Sequence, residues 1–138
     1  MQESTELRAW LESMYHAMAK ADLDWLKAAV SPGDATVAIG SDPAEWWEGG
    51  TVVQEKLAAQ FEAGVGGARF EPTRLRAYEE GDVGWVSDEP RVVLPDGTAT
   101  SIRVTAVLHR EHGEWRMVQN HASVGVSNEQ VIGTTLPT

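Results

Sequence analysis

Three polar side chains fall at one level of the strands predicted for the second half of the chain. Turn signals at 96–97 and 112–113, an Asp or His followed by Gly, predict two-residue hairpin loops. Counting back from those loops places Asp88 opposite Thr105, and Thr105 opposite Asn120. A carboxylate, a hydroxyl and an amide on one sheet face could abstract a proton and stabilise the oxyanion that forms.

Asp88 is the candidate general base of this cluster. A carboxyl group among apolar walls has a raised pKa, which suits proton abstraction near neutral pH. Arg103 follows at the next level of the same face, where it could pair with Asp88 or bind an anionic group of a ligand. Thr105 and Asn120 could donate hydrogen bonds to a ligand carbonyl, or they could satisfy each other.

Aromatic residues and one histidine are the remaining candidates for ligand contact. Trp46 and Trp47 lie in a glycine-flanked loop, where they could cover a flat apolar ligand or pack under the helix that follows. Tyr15 either directs its hydroxyl into the pocket, as a second candidate oxyanion donor, or serves as a core aromatic. His121 falls on the opposite sheet face, and only a one-residue slip of the last hairpin would turn it toward the pocket.

Composition and motifs exclude several kinds of protein and site. The 138 residues include no cysteine, so thiol chemistry is excluded. The formal net charge is −10, so neither nucleic acid nor a membrane is an expected partner. No histidine pair has metal-ligand spacing and no glycine-rich loop has a nucleotide-binding pattern, so no metal and no cofactor are expected. With neither a membrane-length apolar run nor a signal-peptide core, the chain is predicted to be cytoplasmic.

Three helices and a series of strands are predicted to position these residues. The first helix has an apolar stripe at helical spacing, formed by Leu7, Trp10, Leu11, Met14, Tyr15 and Met18. Ser4 or Thr5 is the predicted N-cap of the first helix, and Asp22 is that of the second. Thr51 and Gln54 are predicted to form a capping box for the third. Long strands are predicted at about 68–79, 83–94, 98–110 and 115–126. This order indicates one α+β domain over residues 1–138.

Both faces of the predicted sheet are partly apolar. One face carries an apolar floor beside the polar cluster, made of Leu75, Val86, Val107 and Val118. Apolar walls with a few convergent polar groups are typical of a small-molecule pocket. The apolar side chains of the other face would be exposed to water in a monomer. We therefore expect a second copy of the chain to pack there, in a homodimer through the outer sheet face.

Two stretches resemble a known superfamily. They are 39–49, read IGSDPAEWWEG, and 113–123, read GEWRMVQNHAS with its Gly, its Trp and a later His-x-Ser. The chain resembles the nuclear-transport-factor-2-like (NTF2-like) superfamily, and within it the SnoaL-like group. The association domain of calmodulin-dependent kinase ends similarly. The resemblance implies a cystatin-like roll, in which a cone-shaped, curved antiparallel sheet wraps around N-terminal helices and a pocket.

Three functions follow as hypotheses. The first is binding of a small, mostly apolar or weakly anionic molecule, because the mixed lining lacks a complete catalytic set. The second is an isomerase, cyclase or dehydratase, which the resemblance allows, with Asp88 as base and Asn120 as oxyanion donor. The third is a homo-oligomerisation module. Fold alone does not choose among them.

Overall fold

The computed structural model describes residues 1–65 and 67–138, without the side chain of Val65. In chain order the elements are β1 (Gln2–Glu3), α1 (Thr5–Lys20), α2 (Leu23–Ala28), β2 (Val37–Ile39), β3 (Trp46–Glu48), α3 (Gly50–Gln60), a π-helical turn (Phe61–Val65), β4 (Arg69–Glu71), β5 (Arg76–Glu80), β6 (Val83–Asp88), β7 (Arg91–Val93), β8 (Ala99–Ser101), β9 (Arg103–Glu111), β10 (Glu114–Ser123) and α4 (Asn128–Ile132). The predicted α+β class is confirmed. None of the helices in this described part has the length and hydropathy that a membrane crossing requires.

A curved, mainly antiparallel seven-stranded sheet forms the body of the molecule. Its strand order is β1-β5-β6-β9-β10-β2-β3, in which β10 and β2 pair in parallel and the other neighbouring strands pair antiparallel. A second sheet of three short strands has the order β4-β7-β8. Helix α1 packs across one face of the large sheet, which we call the inner face, and the opposite face is the outer face.

The first two helices begin as the sequence predicts. The Ser4 side chain caps α1 by accepting a hydrogen bond from the Leu7 N–H at 3.2 Å, and Asp22 caps α2 by accepting from the Trp25 N–H at 3.1 Å. The buried side of α1 carries the predicted stripe, with Leu7 and Leu11 fully buried. These caps satisfy backbone donors that have no partner inside a helix.

Helix α3 begins differently from its prediction. Its N-cap is Gly49, which makes no side-chain capping bond, so the predicted capping box of Thr51 and Gln54 is wrong. The Gln54 amide instead donates to the backbone carbonyls of Lys27 and Val30, at 3.0 and 2.9 Å. Gln54 therefore connects α3 to the end of α2 by hydrogen bonds instead of capping the N-terminus of α3.

The long predicted strands are divided in the structure. The first predicted strand becomes β4 and β5 on either side of Pro72, and the next becomes β6 and β7 on either side of Pro90. Proline cannot donate a ladder hydrogen bond, so a strand changes partner or ends there. The segment predicted as a loop at 44–50 contains β3, which pairs with β2.

The predicted register between β6 and β9 is wrong by one residue. Asp88 pairs with Val104 rather than Thr105, because the loop after β7 has three residues instead of two. The Leu94 N–H donates to the Thr98 carbonyl at 2.8 Å, and Gly97 has a φ of +88°, a conformation that suits glycine. A one-residue shift exchanges the faces of every side chain on β9 relative to the prediction.

A β-bulge in β10 changes the last hairpin. The turn at His112 and Gly113 has two residues, as predicted, and the pairing holds as far as Met117 with Leu108. Val118 is then an extra residue, so Asn120 pairs with Ala106 and His121 with Thr105. The bulge thereby sets which of these side chains lie on the inner face.

Candidate functional site

The candidate site is a cavity of about 510 Å³ on the inner face, between the sheet, α3 and the end of α1. Three residues paired across neighbouring strands lie along its floor: Trp47, Ala38 and Asn120. Most of the described residues around the cavity are apolar, and the larger ones are Met18, Trp47, Leu57, Phe61, Phe70 and Ile102.

Glu45 is the one ionisable side chain among the described residues that line this cavity. It lies on the loop between β2 and β3, and its carboxylate accepts a hydrogen bond from Gln60 Nε2 on α3. Its other oxygen, Oε2, accepts from the Asp42 N–H at 3.1 Å. The carboxylate is therefore held in place from two elements.

Asn120 is the polar residue on the floor of the cavity. Its side chain is half-buried, and its Oδ1 atom is buried with no hydrogen-bond partner among the described residues. Buried polar atoms of proteins nearly always have a partner, because an unpaired one costs about 1–3 kcal/mol. An unpaired amide oxygen beside a cavity is therefore a feature to explain.

Asp88, at the end of β6, and Tyr15, on α1, are buried between the sheet and α1 and do not line the cavity. Asp88 is 6% exposed, and its Oδ1 accepts hydrogen bonds from the backbone N–H groups of Thr73, Arg74 and Glu89. Its Oδ2 accepts from the Tyr15 hydroxyl at 3.1 Å. Burial raises the pKa of the Tyr15 hydroxyl well above its usual range, and the neighbouring Asp88 carboxylate raises it further.

Arg103 and Thr105 are directed away from the cavity. Both alternate with Val104, which is buried on the inner face, so they project from the other side of β9. The Arg103 guanidinium packs against Gly125, and it lines a separate hollow with residues of the C-terminal segment. The predicted grouping of Asp88, Arg103 and Thr105 on one face is therefore wrong, and its cause is the three-residue loop.

The two adjacent tryptophans separate onto opposite faces of β3. Trp47 lines the cavity, and Trp46 is 62% exposed on the outer face. His121 is exposed on the outer face, where it pairs with Thr105 on one side and Ile39 on the other. Of the eight predicted site residues, the cavity thus receives Asn120 and Trp47.

The residues that sequence reasoning missed come from the same stretch as Trp47. Gly40, Ser41 and Glu45 line the cavity, although only the two tryptophans of this stretch were singled out. The signal in the sequence that could have identified Glu45 is its position directly before the pair of tryptophans. Gln60 and Phe70 offered no such signal, because only the folded chain brings α3 and the small sheet to this place.

The outer face holds a second, apolar hollow of about 570 Å³. Its lining includes Val37, Ile39, Trp46, Val83, Val107 and Val118. Val83 is 44% exposed at its edge. No group of three or more His, Asp or Glu side chains in the described ranges could hold a metal ion.

A family model for the SnoaL-like domain matches residues 7–127. The chain belongs to the SnoaL-like domain family. The matched range contains every residue around the cavity named above. The expected family and its fold are thus confirmed.

Solved structures agree with the fold of this SnoaL-like domain. An NTF2-like protein of unknown function from Pseudomonas putida is 21% identical, with a TM-score of 0.80 over 98% of this chain and 96% of that one. A candidate dehydratase of the NTF2-like family from Streptomyces avermitilis is 17% identical, with a TM-score of 0.74 over 88% and 94%. A candidate calcium/calmodulin-dependent protein kinase type II association domain from Thiobacillus denitrificans is 24% identical, with a TM-score of 0.71 over 86% and 94%. Among curated proteins, none matches the sequence.

Proposed function

We propose that this SnoaL-like domain binds a small, largely apolar molecule in the inner cavity. The observation that carries the proposal is the lining itself, with apolar walls on the sheet and α3 and the polar groups of Asn120, Gln60 and Glu45 among them. A volume of about 510 Å³ is within the range of small-molecule sites in proteins. A ligand that donated a hydrogen bond to the Asn120 amide would satisfy its unpaired oxygen after a small movement of the side chain.

Binding of the neutral, apolar dye Nile red tests this proposal. The wild-type protein is expected to give a saturable rise in dye fluorescence. Ala122 lines the cavity, so Ala122→Phe fills part of it and should abolish the rise. Ala99 is exposed on β8 and does not line the cavity, so Ala99→Phe is the matched control and should bind like wild type.

Equal dye binding by Ala122→Phe and wild type would contradict the proposal. It would place the dye elsewhere, for example on the apolar hollow of the outer face. Thermal unfolding followed by circular dichroism confirms that both variants are folded before they are compared. Native mass spectrometry of the purified protein would add the mass of any molecule that remains bound.

We also propose that two copies of the domain associate through the outer face. Its apolar hollow is open, and Trp46 and Val83 on it are 62% and 44% exposed. Exposed apolar area of this kind favours a contact with another protein, and a symmetric pair is the most frequent form. The cytoplasmic location expected from the sequence stays a prediction.

A role for Asp88 as general base stays a prediction and is not part of the proposed function. Its two oxygens already accept four hydrogen bonds, three of them from the backbone. A residue that abstracts a proton must also reach the substrate, and Asp88 does not line the cavity. We therefore assign Asp88 a structural role beside the proposed binding function.

A further inference from the structure

The charge of the cavity lining is opposite to what the sequence suggested. Arg103 was the expected anchor for an anionic ligand, yet it lies outside the cavity. No Lys or Arg is among the described residues that line the cavity, and the single ionisable group is the Glu45 carboxylate. A ligand anion would lose hydration in this site and meet a charge of its own sign.

The position of Glu45 is built into the fold rather than left to a free surface side chain. Its carboxylate folds back over Gly40, where a Cβ atom would lie only 1.9 Å from Oε2. Any larger residue at position 40 would collide with the Glu45 side chain, both at its carboxylate and at its Cβ atom. Gln60 and the Asp42 N–H hold its two oxygens from the other sides.

The Glu45 carboxylate has acceptor capacity that the described residues do not use. An ionised carboxylate can accept about four hydrogen bonds, and the two just described occupy half of that capacity. Trp47 lines the same cavity, and an indole face attracts cations. The Glu45 carboxylate and the Trp47 indole both favour a positively charged ligand group over a neutral or negative one.

We propose that the ligand of this cavity is an apolar molecule that carries a cationic nitrogen. The nitrogen pairs with Glu45 beside Trp47, and the apolar body of the molecule contacts Leu57, Phe61 and Phe70. The net charge of −10 adds a long-range attraction for cations. This inference rests on the proposed function, because it names the ligand class of the same cavity.

Three probes with one apolar body test the charge preference by isothermal titration calorimetry at pH 7. They are 2-naphthylmethylamine, which is protonated, 2-naphthalenemethanol, which is neutral, and 2-naphthoate, which is an anion. We expect the amine to bind wild type about tenfold more tightly than the alcohol, as for one hydrogen bond to a charged group. The naphthoate should bind most weakly.

One variant and one control assign that preference to Glu45. Glu45→Gln removes the charge and keeps the size of the side chain. It should lower the affinity for the amine about tenfold and leave the affinity for the alcohol within about twofold. Glu55 is exposed on α3 and does not line the cavity, so Glu55→Gln should keep the wild-type preference.

The outcomes separate this inference from the function on which it rests. If the alcohol or the naphthoate binds wild type as tightly as the amine, and Ala122→Phe abolishes that binding, the cationic ligand is overturned and the cavity function stands. Equal loss of amine affinity in Glu45→Gln and Glu55→Gln would also overturn it, because the effect would then come from net charge. If none of the three probes binds while Nile red still binds wild type and not Ala122→Phe, the cationic ligand alone is overturned. If Nile red does not bind either, both proposals fail.

Discussion

Asp88 is the centre of a buried hydrogen-bond network that joins three parts of the chain. It binds the Tyr15 hydroxyl of α1, the backbone before β5 and the backbone after β6. An aspartate whose pKa is raised by an apolar pocket would suit a general base. The residue type alone therefore allowed either a catalytic or a structural interpretation of Asp88. The number of donors around its oxygens favours the structural one.

The environment of Tyr15 predicts how stability depends on alkaline pH. Burial and Asp88 raise the pKa of the folded-state hydroxyl above its ordinary value of 10.0. Below pH 10 both the folded and the unfolded chain keep this proton. Above pH 10 the unfolded chain releases it and the folded chain does not, so the free energy of unfolding falls by about 1.4 kcal/mol per pH unit from this group.

Tyr15→Phe should remove that alkaline loss of stability. At pH 8 the variant is expected to be about 1.5–3 kcal/mol less stable, because a hydrogen bond to a charged group is lost. Between pH 10 and 11.5 its free energy of unfolding should fall less steeply than that of wild type. Urea unfolding at a series of pH values measures both. Tyr78→Phe removes the other tyrosine and should keep the wild-type slope; an unchanged slope in Tyr15→Phe would refute this account.

At the scale of the elements, a loop and a bulge determine which side chains meet. The three-residue loop before β8 turns Thr105 and Arg103 outward, and the extra residue Val118 in β10 turns Asn120 inward. Each feature adds one residue to a pairing in which side chains alternate. A change of one residue therefore reassigns a whole strand face.

The contact between α1 and the sheet depends on one glycine in β6. A Cβ atom at Gly84 would lie 2.2 Å from Cδ1 of Leu7, and Leu7 is fully buried. Gly84→Ala is therefore expected to lower the free energy of unfolding by about 1–3 kcal/mol through overpacking. Leu7→Ala should lower it by about 2–5 kcal/mol through the cavity it leaves.

A double-mutant cycle over these two positions tests the contact. The added methyl group of Gly84→Ala fits the space left by Leu7→Ala, so the double variant should lose at least about 1 kcal/mol less than the sum of the single losses. Urea unfolding of the four proteins gives the coupling energy. Additive losses would mean that Leu7 and residue 84 do not meet in the way described.

At the scale of the whole molecule, the outer face is the candidate surface for self-association. Trp46 and Val83 border its apolar hollow from β3 and β6, two strands that lie far apart in the sheet order. The hollow therefore crosses the sheet. The net charge of −10 on each chain opposes association at long range, so added salt should strengthen the pair.

Trp46→Glu should convert the proposed dimer to a monomer, because a carboxylate would be buried without a partner at the contact. Sedimentation velocity at tens of micromolar protein measures the state of wild type and variant. Val131 is 68% exposed on α4, outside the hollow, so Val131→Glu is the matched control and should remain dimeric. A monomeric wild type, or dissociation by both variants, would contradict the dimer through this face.

The sequence by itself determined the class of fold, because local signals agree along most of the chain. The stripe on α1, the caps at Ser4 and Asp22, and the turn at His112 and Gly113 are all made by neighbouring residues. The stretches at 39–49 and 113–123 were enough to recognise the family. The net charge and the absence of cysteine are likewise properties of composition alone.

Only the tertiary structure decided which polar groups share the cavity. Glu45, Gln60 and Asn120 come from a loop, a helix and a strand, and no spacing in the sequence relates them. Asn120 reaches the inner face because Val118 bulges, and Arg103 leaves it because a hairpin loop has three residues. The physical reason is that local patterns specify elements, whereas the pairing of strands, and with it the face of every side chain, follows from contacts between residues distant in the sequence.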